Sequence, residues 1–367
     1  MIIKSDIENE QFLEIENLIK KGKYQDIIQF IKISISNQLQ EEKNEGTGKN
    51  NSNNIHEERT KKGGLEERHQ VFQESLEYLE LIKTKNPINF KKEVDFIWNF
   101  YNRFFPVKLS IVNLAQLITP EKPYCNLDEW QIAATEMGQT YRKILEEFDE
   151  EMDHRRDKKI SIALPTHSSI LNGIKRKGLR QKTEKKMNSS KNKFSNQFVG
   201  RYNVTKEFFE GAPFAMGLIS FEKSGNNFLI SLTNLGKEFA LLQNPILNGD
   251  YFNIFSNKEV ELIYKKIIPQ FKKEKEIIEK IIKKLKNKEL TSNELDKSIF
   301  SEYKELILKF SSDKPKKSDD EYVNKKIIEA RIGTMGRLSE LKIVNWKMVN
   351  GTSYYSLNEE RMNLLGL

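Results

Sequence analysis

The sequence predicts a mainly α-helical protein that carries small β-hairpins, and two observations lead there. Apolar residues recur at three- and four-residue spacing over most of the 367 residues, as helices with one buried stripe require. Two short stretches, "LISFEKSGNNFLISL" (218–232) and the stretch ending in "KMVNGTSYYSL" (344–357), instead alternate apolar and polar residues about a Gly/Asn turn. That is the pattern of a hairpin resting one face on a core. A chain this long is expected to hold several compact units. Aromatic residues at 10 % favour folded domains, while 31 % charged residues and a mean hydropathy of -0.64 favour a charged surface with flexible joints.

Residues 1–43 read as an N-terminal helical hairpin: Phe12, Ile15, Leu18 and Ile19 repeat at helical spacing, "KKGKY" interrupts, and Ile27, Ile28, Phe30 and Ile31 resume. Its apolar stripe needs a cover, which a protein partner or self-association would supply. Residues 44–64 open with "NEGTGKNNSNN", the composition of a flexible linker. Residues 65–165 form a helical domain that begins with a helix from Leu65 to Lys85. The densest aromatic cluster follows (Phe96, Ile97, Trp98, Phe100, Tyr101, Phe104, Phe105), expected as a buried helix stopped by Pro106. Rings that stack on bases are more often set along strands or loops with basic neighbours, so burial is the expectation here. From Asp128, the residues Trp130, Ala134, Met137, Tyr141, Leu145 and Phe148 mark one face of a helix of roughly 28 residues and about 42 Å. "KISIALP" (159–165) then alternates like a strand.

Residues 166–193 read as a basic linker, because "LNGIKRKGLRQKTEKKMNSSKNK" (171–193) holds nine Lys and Arg against the single Glu184. No core is expected in so charged a stretch. Two readings stand side by side: a mobile arm whose cations, Lys175, Arg176, Lys177 and Arg180 among them, neutralise phosphates, or a solvated joint in a Lys-rich protein. Gly173 and Gly178 have the spacing of a P-loop, but Leu179 and Arg180 stand where Lys and Ser/Thr are needed, which excludes that type of NTPase.

The first hairpin domain, 194–250, turns at Gly225-Asn226, which sets Lys223 opposite Phe228, Phe221 opposite Ile230 and Ile219 opposite Leu232. Residues 251–290 are connecting helices. The second hairpin domain, 291–367, opens on Thr291 and Glu294 at capping-box spacing. From Tyr322 it continues as one long helix or as two helices broken near Gly333 and Gly336, and the glycines favour the break. Asn350-Gly351 suits a two-residue primed turn, pairing Met348 with Ser353, Trp346 with Tyr355 and Val344 with Leu357 on the apolar face. Lys347 with Tyr354 and Asn345 with Ser356 fall on the other. Both hairpins run straight into a helix, with Thr233 and Asn358 as the expected N-caps.

Charge divides the chain. Residues 1–165 hold 24 basic and 29 acidic groups, a net of -5, while 166–367 hold 37 and 24, a net of +13. The basic half is the one suited to an anionic partner. Cys125 is alone, and it and the four histidines (56, 69, 154, 167) lack metal-ligand spacing, so no metal and no cofactor is expected. The carboxylates of "EEFDEEMDHRRD" (146–157) read as a charged helix end rather than as a nuclease centre. An enzyme is therefore not expected. No run of about 18 apolar residues exists and "MIIKSDIENEQF" lacks a signal-peptide core, which excludes a membrane partner and makes the cytoplasm, or the nucleoid of a prokaryote, the expected location.

The order of helical run, two-stranded hairpin and capped helix, found twice, resembles the winged-helix superfamily. The likeness covers about 200–242 and 291–367, and 92–165 more weakly. "RIGTMGRLSELKIV" looks like the family's recognition helix leading into its wing, with Asn350-Gly351 at the tip. The resemblance implies tandem winged-helix domains in a DNA-binding protein, a sequence-specific regulator or a subunit of a DNA-associated complex. It places duplex contacts at Lys325, Lys326, Thr334, Arg337 and, on the wing, Lys347. The first copy departs from the basic pattern, since Glu207, Phe208, Phe209 and Glu210 stand before its hairpin, and there a protein contact is expected instead. The alternative for the whole chain is an adaptor subunit whose winged helices bind protein and touch no nucleic acid.

Overall fold

The computed structural model describes Ile82, Ile97 and residues 101–154, 158–205, 207–225, 227–286, 288–310 and 320–367. The chain divides into two units, Met1–Arg68 and His69–Leu367, and all described residues belong to the second. The expected hairpin at 1–43 and linker at 44–64 lie outside the described residues, as does the helix expected from Leu65 to Lys85 apart from Ile82.

The molecule is mainly helical with three small antiparallel sheets among the described residues. The first helix among the described residues is α1 (Phe105–Leu117), in which Pro106 sits in the first turn. Pro106 therefore starts a helix, contrary to the expectation that it stops one. Its fixed φ suits the first turn, and its missing N–H has no helical acceptor there. Residues Phe105 to Ala115 are all buried, so α1 is wrapped on every side. After β1 (Cys125–Asn126) comes α2 (Leu127–Glu151), whose Trp130, Ala134 and Leu145 point into the core. Residues 159–165, expected as a strand and all described, form none. Alternation alone supplies no partner strand, and here the backbone N–H groups of Ile160 and Ser161 donate to the buried carboxylate of Asp149, each at 3.1 Å.

Next are α3 (Lys177–Phe194), which widens into a π-turn at Ser195–Val199, the small hairpin β2 (Arg201–Asn203) and β3 (Phe208–Glu210), and α4 (Ala212–Ala215). The first long hairpin is β4 (Ile219–Ser224) and β5 (Asn227–Leu232), followed by α5 (Asn234–Leu241). Its register is the expected one, and the Thr233 side chain accepts from Gly236 N at the start of α5. β1 adds to β5, giving the sheet order β1-β5-β4. The pairing of Cys125 with Ile230 joins segments expected to lie in separate domains.

A short helix, α6 (Asn257–Leu262), begins at a capping box formed by Ser256 and Glu259. The second repeat then runs through α7 (Lys272–Leu285), β6 (Leu290–Thr291), α8 (Ser292–Phe310), α9 (Asp320–Glu340), the hairpin β7 (Val344–Val349) and β8 (Thr352–Leu357), and α10 (Glu359–Leu365). The capping box of Thr291 and Glu294 and the Asn358 cap are formed as read from the sequence. So is every residue pair of the hairpin, which turns at Asn350 (φ 49) and Gly351 (φ 78). Both values are positive, as a type I′ turn needs. The sheet order is β6-β8-β7, so in each repeat a two-residue strand from before the helices flanks the last hairpin strand.

Helix α9 is continuous through Gly333 and Gly336. A Cβ at Gly336 would lie 3.0 Å from the carbonyl oxygen of Asn102, so the small residue permits close approach of a distant segment. That approach ties the repeats together: Glu340 accepts hydrogen bonds from the N–H groups of Phe104 and Phe105, and Arg337 donates to the Tyr101 carbonyl at 2.9 Å. Among the described residues no helix is long and apolar enough to cross a membrane.

Candidate nucleic-acid interface

Helix α3 carries the basic segment. Long, unbranched Lys, Arg, Gln and Glu residues lose little side-chain freedom in a helix, and no proline interrupts them. Met187 and Phe194 are buried, seven residues apart. The Phe194 ring lies against α2 at Gly138, where a Cβ would come within 3.1 Å of its Cζ, and meets Phe198 at 5.9 Å between centroids. Thr166 N donates to Ser190 Oγ at 3.1 Å. The basic segment is thus an anchored helix, not the coreless linker expected.

Its outer surface is cationic. Lys175 and Arg176 just before the helix, and Arg180, Lys182, Lys185, Lys186 and Lys193 on it, are exposed. Lys177 is the first helical residue. Glu184, the single acid of the segment, sits 3.2 Å from Arg180 with both side chains largely in solvent. Such a pair contributes at most about 1 kcal/mol and yields readily to another anion.

Helix α9 treats its expected contact residues differently. Lys325 is exposed, and Lys326 follows it on the helix. Thr334 and Arg337 are turned inward, only 1 % exposed each. The Arg337 guanidinium donates to Glu274 on α7 at 2.6 Å, and the Thr334 hydroxyl donates to the same carboxylate at 3.0 Å. Arg331, also buried, donates to Tyr355 OH at 3.1 Å and pairs with Asp296 on α8. Neither Thr334 nor Arg337 is available to a phosphate in this fold. What α9 does present is Lys325 with Ile328 and Ile332, 42 % and 52 % exposed. Lys347 on β7 is exposed as expected, 2.8 Å from Glu289 and 5.6 Å from the centre of the Tyr354 ring.

The segment before the first hairpin packs on its own chain. Phe209 is buried and stacks on Phe221 at 4.9 Å, and Tyr202 stacks on Phe228 at 4.4 Å. Glu210 accepts from Arg201 at 2.7 Å and from Asn203 at 3.1 Å.

Three features escaped the sequence reading. The helix under the basic segment is the first: the apolar Met187 and Phe194 at helical spacing were its signal, and it fixes Lys182, Lys185, Lys186 and Lys193 on an exposed face. Glu274 lies on the stripe of Ile277, Ile278, Ile281 and Leu285, and a carboxylate on an apolar face foretells a buried partner. Lys108 and Glu259, both fully buried, face each other at 3.0 Å, and Lys108 also donates to the carbonyls of Phe239 and Leu242 at 2.5 and 2.6 Å. Burial pushes the Lys108 pKa down and the Glu259 pKa up, each against the pull of the other.

The Cys125 thiol is buried and pushed up to about 12, and Asp149 and Glu146 engage His154 and His167, each at 2.9 Å. No group of three His, Cys, Asp or Glu among the described residues is placed to hold a metal ion. No family model matches the chain, and neither a curated protein nor a solved structure matches it.

Proposed function

We propose that this chain is a non-enzymatic DNA-binding protein built on two winged-helix repeats, acting as a sequence-specific regulator or as a subunit of a DNA-associated complex. One observation carries the reading: seven exposed cations between Lys175 and Lys193, accompanied by one acid, stand on or beside a helix fixed to the first repeat by Phe194 and Ser190. Cations held on a rigid element neutralise phosphates without the ordering cost of a mobile arm. The repeated order of helix, short strand, helix, helix and hairpin, with the last strand central, supports the winged-helix assignment.

The test is binding of the full chain to duplex DNA, single-stranded DNA and RNA across a salt series. Affinity for duplex is expected to fall steeply with salt. Each neutralised phosphate adds ~0.9 to the slope, so K182A/K186A/K193A should reduce it by about 2.7. Salt-indifferent binding, or none, refutes the reading.

A second reading belongs to the second repeat alone. Ile328 and Ile332 lie one turn apart and exposed on α9, where a DNA-contacting helix would carry polar groups. They favour a protein partner there, and I328D/I332D would abolish recovery of that partner while leaving duplex binding intact.

A further inference from the structure

The exposed side of α3 is ordered in rows. Met187 and Phe194 are buried, with Thr183 and Ser190 half-buried beside them, and together they define the inner face. Opposite stand Gln181, Lys185, Asn188 and Asn192, all exposed. Their spacings of four, three and four residues align them along one face of the helix. Lys182, Lys186 and Lys193, exposed as well, form a parallel row on one shoulder. Arg180 and the half-buried Lys191 lie on the other, together with Glu184, which pairs with Arg180 at 3.2 Å.

Amides on a crest between cationic shoulders are more than charge neutralisation requires, since phosphate binding alone places no demand on what stands between the lysines. The carboxamide of Asn or Gln offers one acceptor and two donors in a planar fork, which matches N6 and N7 of adenine in the major groove. That groove, ~12 Å wide, admits one α-helix between two walls of phosphates. The shoulders of α3 then meet the walls, and its crest meets the base edges. From Gln181 to Asn192 the row spans roughly 16 Å at ~1.5 Å per residue, about five base-pair steps of ~3.4 Å. The major groove of A-form RNA is too narrow and deep for such entry.

Resting on the proposed nucleic-acid binding, we infer that α3 reads adenine-containing duplex DNA from the major groove, with Gln181, Asn188 and Asn192 on base edges and the Lys182 row on phosphates. Lys185, in the amide row, would donate to guanine O6 or N7 within the same site.

The test selects bound duplexes from a random-sequence pool with the full chain and with Q181A/N188A/N192A, and in parallel measures affinity for an unselected duplex of fixed length. All three positions are exposed and alanine favours helix, so the fold is expected to survive, which circular dichroism checks. The unaltered chain is expected to enrich a block of about five base pairs containing adenines. The variant should lose those adenines, roughly tenfold in preference for each amide replaced, with affinity for unselected duplex changed less than about threefold. If both proteins enrich the same block, or the unaltered chain binds duplex without enriching any sequence, α3 does not read bases, although phosphate binding stands. Equal competition by double-stranded RNA likewise overturns duplex-DNA reading. If the unaltered chain binds no nucleic acid at any salt, the underlying proposal falls and takes this inference with it.

Discussion

Helices α3 and α9 hold corresponding places, each following a helix and leading to a hairpin, yet they send their cations in opposite directions. On α3 Lys182, Lys185, Lys186 and Lys193 face solvent. On α9 Arg331 and Arg337 are buried against Asp296 and Glu274. The neighbour decides. Helices α7 and α8 bring a carboxylate to each of these arginines, whereas the surfaces against α3 bring Gly138 and the backbone of Thr166, which receive Phe194 and Ser190. A basic residue in a sequence is therefore a surface cation only when no acid awaits it across the packing interface.

The largest effect expected from this contrast is on stability. Glu274→Ala strands the Arg337 guanidinium in the interior and should cost about 3–5 kcal/mol in chemical denaturation. Glu184→Ala on α3 should stay within about 0.5 kcal/mol. Replacing both members of the buried pair, E274L/R337M, should recover most of the deficit, with duplex affinity unchanged if α9 plays no part in phosphate binding.

The next effect is a pH dependence centred on Glu340. Burial pushes its carboxyl up to about 7, against the pull of Arg103, the N–H groups of Phe104 and Phe105, and Arg337. An unfolded glutamate titrates near ~4.3, so between those values the folded chain holds a proton that the unfolded chain has released. Stability should therefore be highest at the acid end and decline as pH rises to about 7, by up to about 4 kcal/mol from this group. Glu340→Gln keeps an acceptor for the N–H groups and should flatten the dependence, measured as the shift in urea midpoint between pH 5 and pH 7.5.

Smaller is the difference between single lysines. Lys182→Ala should lower the slope of log affinity against log salt by ~0.9 and Lys325→Ala by much less, if only α3 lies on the duplex. Equal slopes would place both helices there. Last, the buried Cys125 thiol, in the first repeat beside β5, should resist maleimide in the native state and react on unfolding, which gives a single-site probe of the unfolding transition.

The hairpins were legible to the residue because period-two alternation and a Gly/Asn turn leave one register that keeps the apolar face inward. Thr233, Thr291 and Asn358 were legible as caps for a comparable local reason. What lay hidden depends on distant partners. Two-residue strands such as β1 and β6 have no period to detect. The cost of glycine in α9 is overridden by the approach of Asn102 to Gly336, from a segment more than two hundred residues away in sequence. Pro106 reads equally as a stop or a start until the burial of α1 is known. In α3 one-signed charge masked the Met187 and Phe194 stripe, so the crowding of lysines was visible while the surface that orders them was not.

The carboxylate of Glu340 beneath the first turn of α1 has a consequence for how the molecule comes apart. The opening helix of one repeat takes its terminal acceptor from the other, and Lys108 within that helix depends on Glu259 from the segment between them. A cut near residue 250 would strand donors on one side and acids on the other, so neither fragment should be autonomous. Melting is expected as one cooperative transition across residues 101–367, and a recombinant swap of either repeat for a foreign one must carry its counterpart residues along.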